Sequence, residues 1–268
     1  MTTLPALLLV GGGRMGGALL AGWRERGPRA VLVVDPSPEA AKLAGDGVEV
    51  VASAAEIPLG FAPEAVVLAV KPQLAPQVLP AYARFAGRAV VVSIMAGQTL
   101  HAIAGMLGVK AALVRAMPNT PAAVRQGFTV AFAGCHASER QRALADALLA
   151  ATGQVAWVAD EALLDPVTAI SGGGPAYVFL LVELMEQAAL AQGIPPSLAR
   201  QMARQTLVGS AALLAASEED AAALRIAVTS PGGTTERALA VLRADDAWPK
   251  SFAAAIEAAT KRSQELSS

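Results

Sequence analysis

Leu7-Leu8-Leu9-Val10-Gly11-Gly12-Gly13-Arg14-Met15-Gly16 joins a short apolar run to three glycines, and an alanine- and leucine-rich stretch with a helical period follows. The run predicts a buried strand over Leu7–Val10 and the stretch a helix over Met15–Arg26. Between them Gly11, Gly13 and Gly16 satisfy G-x-G-x-x-G in the context that the motif needs, directly after a strand and directly before a helix. In that setting Gly11 allows the tight turn, Gly13 lets the backbone approach a pyrophosphate, and Gly16 lets helix and strand pack closely. The helix N-terminus then faces the anion. The plainer alternative is a glycine-rich turn in some other doubly wound fold.

Working outward, Val31–Asp35 predicts the next strand, and Asp35 ends it about 20 residues after the glycines, where a carboxylate accepts hydrogen bonds from an adenosine ribose. No basic residue follows in Pro36-Ser37-Pro38-Glu39, so this turn leans towards NADH over NADPH. Asp35 capping a turn before proline is the competing reading. Further strands are expected at Ala65–Val70, Ala89–Ile94, Ala112–Arg115, Thr129–Ala133 and Val155–Val158, with a helix at Glu139–Ala151. This alternation is that of βαβ units and a largely parallel sheet. Lys71, in Ala69-Val70-Lys71-Pro72, falls at a strand end, where open α/β sheets bind ligands, or is a solvated lysine beside a turn.

After Ala159 the strand pattern stops, and helices punctuated by Gly172-Gly173-Gly174-Pro175, Gly193-Ile194-Pro195-Pro196 and Ser230-Pro231-Gly232-Gly233 take over. The reading is an α/β chain: a Rossmann dinucleotide-binding domain over residues 1–159 and an all-α dimerisation and substrate domain over residues 160–268. Tyr177–Gln192 is apolar around most of its circumference and needs cover on every side. An obligate homodimer through the helical domain is therefore expected.

Composition narrows the field. The 268 residues are 54% hydrophobic, enough to bury one or two cores, and 21 basic residues nearly cancel 22 acidic ones, so no net field favours nucleic acid or anionic lipid. Glu183, Glu186 and Gln187 interrupt the longest apolar stretch, and no membrane span is expected. The N-terminal run lacks the features of a signal peptide. A single cysteine, Cys135, with only His101 and His136 beside it, gives no internal disulfide and no metal site, which fits a reduced, cytoplasmic protein.

Seven blocks in order resemble the pyrroline-5-carboxylate reductase family: Gly11–Leu19, Ala69-Val70-Lys71-Pro72-Gln73, Ser93-Ile94-Met95-Ala96-Gly97, Met117-Pro118-Asn119-Thr120-Pro121, Ser171–Tyr177, Gln205-Thr206, and Val228-Thr229-Ser230-Pro231-Gly232-Gly233-Thr234-Thr235. The resemblance spans nearly the whole chain. It implies hydride transfer from NADPH or NADH to 1-pyrroline-5-carboxylate, giving L-proline in the last step of proline biosynthesis. It also implies an active site between the cofactor domain and helices of both subunits, and dimers gathered into a decamer of five. Gly11, Gly13, Arg14, Met15, Gly16 and Asp35, with Ala69, Val70, Lys71 and Pro72 and with Met95, Ala96 and Gly97, would line the dinucleotide. Ser230, Gly232, Gly233, Thr234 and Thr235 would hold the substrate. Arg14 stands where the family often has asparagine, and Ala227 where some members carry one.

Such a reaction asks the protein mainly for placement, since a protonated imine is already electrophilic. Ser230–Thr235 can present backbone N–H groups and hydroxyls before a helix, a cradle for a carboxylate, or can be an ordinary capped helix start. Thr235 is the candidate catalytic residue, donating to the ring nitrogen, with water as the alternative donor. Asn119 bonds either the cofactor or its own turn, and Ser171–Tyr177 is either a close-approach site or a flexible helix entry. Two other functions remain open: a reductase of another small cyclic imine or a hydroxy acid on the same plan, and a dinucleotide-sensing protein without catalysis. A hydroxy-acid enzyme would want a lysine or histidine poised near these loops for alcohol deprotonation, and none is placed there.

Overall fold

The structure is a computed structural model describing residues 4–108 and 110–267. Eight strands form one sheet: β1 (Ala6–Val10), β2 (Ala30–Val34), β3 (Val48–Val51), β4 (Ala65–Leu68), β5 (Val90–Ser93), β6 (Ala112–Met117), β7 (Gly127–Ala133) and β8 (Gly153–Trp157). Their order is β3-β2-β1-β4-β5-β6-β7-β8, parallel except for the antiparallel pair β6 and β7. The chain therefore leaves β1 towards β3 and returns to its other side at β4, which makes the ends of β1 and β4 the switch point where such sheets bind ligands.

Strand residues alternate between two cores. Leu7 and Leu9 pack in one cluster with Leu19, Leu20 and Trp23, while Leu8 and Val10 pack in the other with Leu68, Leu79 and Phe85. Both faces of the sheet are covered, as continuous apolar strands require. Helix Arg14–Glu25 lies against the first face, and its Trp23, wholly buried, donates from Nε1 to the Leu148 carbonyl at 2.9 Å. The helix expected at Glu139–Ala151 runs Glu139–Leu149, started by a reciprocal bond between Ser138 and Gln141. Strand β3 lay outside the sequence reading. It is four residues long, follows the Gly45-Asp46-Gly47 turn, and sits at the sheet edge with Glu49 exposed.

Two compact units emerge, Met1–Gly173 with Ala259–Ser268, and Gly174–Ala258. The first thus runs beyond the boundary expected after Ala159. Its packing explains this: Leu164, Asp165 and Ala169 are buried, and Ser263, near the end of helix Ala247–Ser267, is buried with them.

The second unit consists of helices Gly174–Ala191, Pro196–Ala216, Ala221–Ala227 and Thr234–Leu242 and the first part of Ala247–Ser267. No residue of Gly174–Ala191 is buried, and Phe179, Leu180, Leu184, Val208, Leu213 and Leu214 are each more than half exposed. Tyr177 meets Phe252 edge to face at 6.0 Å. Against the expectation of no membrane span, Glu161–Ala191 forms one helical stretch long and apolar enough, by length and composition, to cross a membrane, its most apolar 18 residues having mean hydropathy 1.4. Glu183, Glu186 and Gln187 fall near its C-terminal end, and residues 166–182 ahead of them carry no charge.

Candidate functional site

The turn after β1 requires its glycines for separate reasons. Gly11 has φ 98°, donates its amide to the Val34 carbonyl at 2.9 Å, and would place a Cβ 2.7 Å from the Ala69 carbonyl oxygen. Gly16 would place one 2.1 Å from the Gly11 carbonyl oxygen, so the first turn of the helix rests directly on the loop. Gly13 is the opposite case: a Cβ there meets nothing within 4 Å. Crowding by the protein therefore does not account for it, and the space in front of it adjoins the N-terminus of helix Arg14–Glu25, which carries no side-chain cap. Arg14 is exposed and Met15 half-buried at that end. An open cradle with free amides at a helix start fits a pyrophosphate.

Asp35 does more than either of its sequence readings. Oδ1 accepts from the Ser37 amide at 2.8 Å, which is the turn cap, and Oδ2 accepts from the Gly12 amide at 2.7 Å. The carboxylate thereby braces the middle of the glycine turn, a role for Gly12 that the motif does not specify. Ala69 and Val70 follow β4 directly beneath Gly11, and Lys71 is exposed at the start of a short 3₁₀ turn that begins with Pro72.

The β5 loop is held from the protein side. Met95 is buried in the second core, which leaves only its main chain to face a ligand, and its amide donates to Ser93 Oγ at 3.3 Å. Ala96 is half-buried. Gly97 has φ 71° and a Cβ there would come 2.9 Å from the Leu266 carbonyl oxygen, so its glycine answers to the C-terminal helix. Asn119 takes a third course: its Oδ1 accepts from the Phe128 amide at 2.9 Å, and its Nδ2 reaches the Ser171 carbonyl and hydroxyl, both at 3.3 Å. It ties strand β7 to the Ser171 segment instead of closing its own turn. Gly172, in the same segment, packs towards Met117, and the helix proper starts at Gly174.

In the second unit Ser230–Gly233 form the expected loop before helix Thr234–Leu242. Gly232 has φ 72°, and Gly233 is the N-cap, with no side-chain cap bond and its amide donating to the Ser230 carbonyl at 3.0 Å. The Gly232 amide donates to Glu236 Oε2 at 2.8 Å. One donor of this loop thus already takes a carboxylate, from its own helix. Thr234 and Thr235 are exposed.

Sequence reasoning missed a buried polar cluster. Arg115, 4% exposed in β6, places NH1 3.0 Å from Glu161 Oε1 and NH2 3.9 Å from Asp165 Oδ1. Glu161 Oε1 also accepts from the Leu100 amide at 2.8 Å, and Asp165 Oδ1 from the Ser263 hydroxyl at 2.7 Å. The available signal was a cation inside an apolar strand, which burial forbids without acidic partners. A groove of about 560 Å³ lined by His101, Lys110, Cys135 and His136 lies beside the start of β6 and the end of β7, apart from Gly11. Among the described residues no group of acidic, histidine and cysteine side chains is arranged to hold a metal.

Comparison with known proteins covers both units. A family described as pyrroline-5-carboxylate reductase dimerisation matches residues 161–266, and one described as NADP oxidoreductase, coenzyme F420-dependent, matches residues 6–97. The first match begins close to the boundary read from the sequence, ahead of the division into compact units. A pyrroline-5-carboxylate reductase of Pseudomonas aeruginosa is 39% identical over 267 residues, 98% of this chain and 97% of that protein. The structure of a pyrroline-5-carboxylate reductase from Coxiella burnetii matches with a TM-score of 0.89 and 34% identity over 98% of each chain. A pyrroline carboxylate reductase of Plasmodium falciparum, solved with NADP bound, matches with a TM-score of 0.84 and 27% identity, again over 98% of each chain.

Proposed function

The chain belongs to the pyrroline-5-carboxylate reductase family, and on that premise we propose how its own residues serve the reduction of 1-pyrroline-5-carboxylate to proline by a nicotinamide dinucleotide. The observation that carries the cofactor half is the glycine turn, closed to any side chain at Gly11 and Gly16 and open at Gly13. When bound, the dinucleotide supplies the hydride. Gly13, Arg14 and Met15 receive its pyrophosphate at the start of helix Arg14–Glu25. Ala69–Pro72 and the main chain of Met95–Gly97, with Asn119 behind them, bound the rest of that site. Asp35 faces the ribose with the lone pairs that Gly12 and Ser37 leave, and its charge disfavours a 2′-phosphate, which leans the preference towards NADH.

The amides of Ser230 and Gly232 and the hydroxyls of Ser230 and Thr234 hold the substrate carboxylate, while the Gly233 amide, bonded to the Ser230 carbonyl, keeps the loop in shape. The bond between the Gly232 amide and Glu236 supports this, because that N–H already donates to a carboxylate oxygen, which the substrate's carboxylate would replace. Thr235 Oγ1 directs its proton to the ring nitrogen as the carbon is reduced. Both halves demand placement more than acid–base power, in keeping with two histidines that lie outside these loops.

Two copies pair through the helical unit, whose apolar helices leave Phe179, Leu180, Leu184, Val208, Leu213 and Leu214 more than half exposed in the single chain. A second copy, not a bilayer, is our reading of what covers Glu161–Ala191, and five such dimers forming a decamer is the further assembly proposed. A reduced cytoplasmic setting suits the single exposed thiol of Cys135. The experiment is loss of nicotinamide absorbance with racemic pyrroline-5-carboxylate, NADH and NADPH in parallel, and chiral analysis of the product. L-proline formation that falls with Thr235→Val, while dinucleotide binding holds, supports these assignments; equal loss of both removes Thr235 from the substrate site.

A further inference from the structure

The loop from Ile94 to Thr99 joins β5 to helix Leu100–Leu107 at the end of the sheet that carries the glycine turn. It is fixed at four points. Ile94 donates its amide to the Leu68 carbonyl at 3.0 Å, and Met95 donates to Ser93 Oγ. Gly97 abuts the backbone of Leu266. At the far end the Leu100 amide donates to Glu161 Oε1, the same oxygen that Arg115 contacts. Arg115 also faces Asp165, whose Oδ1 accepts a hydrogen bond from the Ser263 hydroxyl. Ser263 and Leu266 are one turn apart on one helix, so the helix touches the loop directly at Gly97 and indirectly through Asp165, Arg115 and Glu161.

We propose that Ser263 and Glu161 are positioning residues for dinucleotide binding, which set the conformation of the Ile94–Thr99 loop through Arg115 without touching the cofactor. A scaffold that served stability alone would need only to pair Arg115. Here the acceptor that pairs it also fixes the first amide of the helix after the loop, and a second acceptor connects it to the helix that backs Gly97. Misplacing such a loop by a fraction of an ångström weakens the contacts it makes. The proposal rests on the reading that Met95–Gly97 lines the dinucleotide.

The test compares Ser263→Ala, Ser263→Thr and Glu161→Gln in the full-length enzyme, with separate KM values for dinucleotide and pyrroline-5-carboxylate and a melting curve for each. Ser263→Ala should raise the dinucleotide KM about fivefold or more, the factor that one hydrogen bond represents. The imine KM should stay within about twofold, as for changes away from its site. Ser263→Thr, which keeps the hydroxyl, should restore the parent value. Glu161→Gln, which keeps the size of the side chain and an acceptor oxygen while removing the charge that faces Arg115, should shift the same KM in the same direction. A lower melting temperature with an unchanged dinucleotide KM in both variants overturns the proposal, and so does a parallel rise in both KM values. Gly13→Val separates the underlying reading: if it still binds dinucleotide, the assignment of the cofactor site fails, whatever Ser263 does.

Discussion

Gly16→Ala and Gly13→Ala add the same methyl group three residues apart and should break different properties. At Gly16 the new Cβ falls 2.1 Å from the Gly11 carbonyl oxygen and 3.2 Å from its carbonyl carbon. Neither atom can yield, because Gly11 is bonded to Val34 and boxed by the Ala69 carbonyl. The helix must instead lift off the strand by roughly 1 Å to regain an ordinary contact, an overpacking that costs about 1–3 kcal/mol. For a unit of this size each kcal/mol lowers Tm by about 2–4 °C. At Gly13 the backbone angles, φ −64° and ψ −166°, suit any residue, and the Cβ enters open space. Stability should therefore change by less than about 1 kcal/mol. The methyl instead occupies the space assigned to the pyrophosphate, and dinucleotide affinity should fall about tenfold or more, equivalent to a comparable overpacking. Melting curves and dinucleotide titrations on both variants decide the matter. Parent-like binding by Gly13→Ala would refute the cofactor site, and an unshifted Tm in Gly16→Ala would refute the packing argument.

Asp35→Ser should move the ratio of NADPH to NADH efficiency upward by about tenfold, the size of a near-surface charge repulsion of about 1–2 kcal/mol, and an unchanged ratio in steady-state assays would remove Asp35 as a discriminator. Burial pushes the Tyr82 phenol up from 10.0 to about 12, so its contribution to stability is complete below the unfolded value and is lost as pH rises towards 12. Tyr82→Phe should accordingly flatten the alkaline limb of a Tm-against-pH curve above pH 10 and leave the acid limb alone. Arg115→Met leaves Glu161 and Asp165 without their cation and should cost about 3–5 kcal/mol in chemical denaturation, and a cost below about 1 kcal/mol would show that the cluster is already solvated. Phe179→Glu, at a side chain 66% exposed in the single chain, should weaken self-association by about tenfold or more in sedimentation, whereas an unaltered dimer would place the interface elsewhere.

How much was readable from the sequence follows from the range of the interactions involved. The strands were legible because each is a short run of β-branched or leucine residues, and the turn because its glycines obey a local spacing. Strand β3 was not: four residues containing Glu49 carry too little period, and only pairing with β2 makes them a strand. The same limit divides the site. Gly11 and Gly16 are required by atoms within the motif or one strand away, and their roles were assigned from spacing. Gly97 is required by Leu266, Asn119 is held by Phe128 and Ser171, and Arg115 is paired with Glu161 and Asp165, contacts that no local pattern encodes. Resemblance placed Gly97 beside the cofactor, and Asn119 stood open between the cofactor and its own turn, because a resemblance reports which positions matter without reporting why. The structure separates the two causes at Gly13, where the protein itself gives no reason for glycine. A glycine that its own fold does not need is the position at which a ligand is the better explanation.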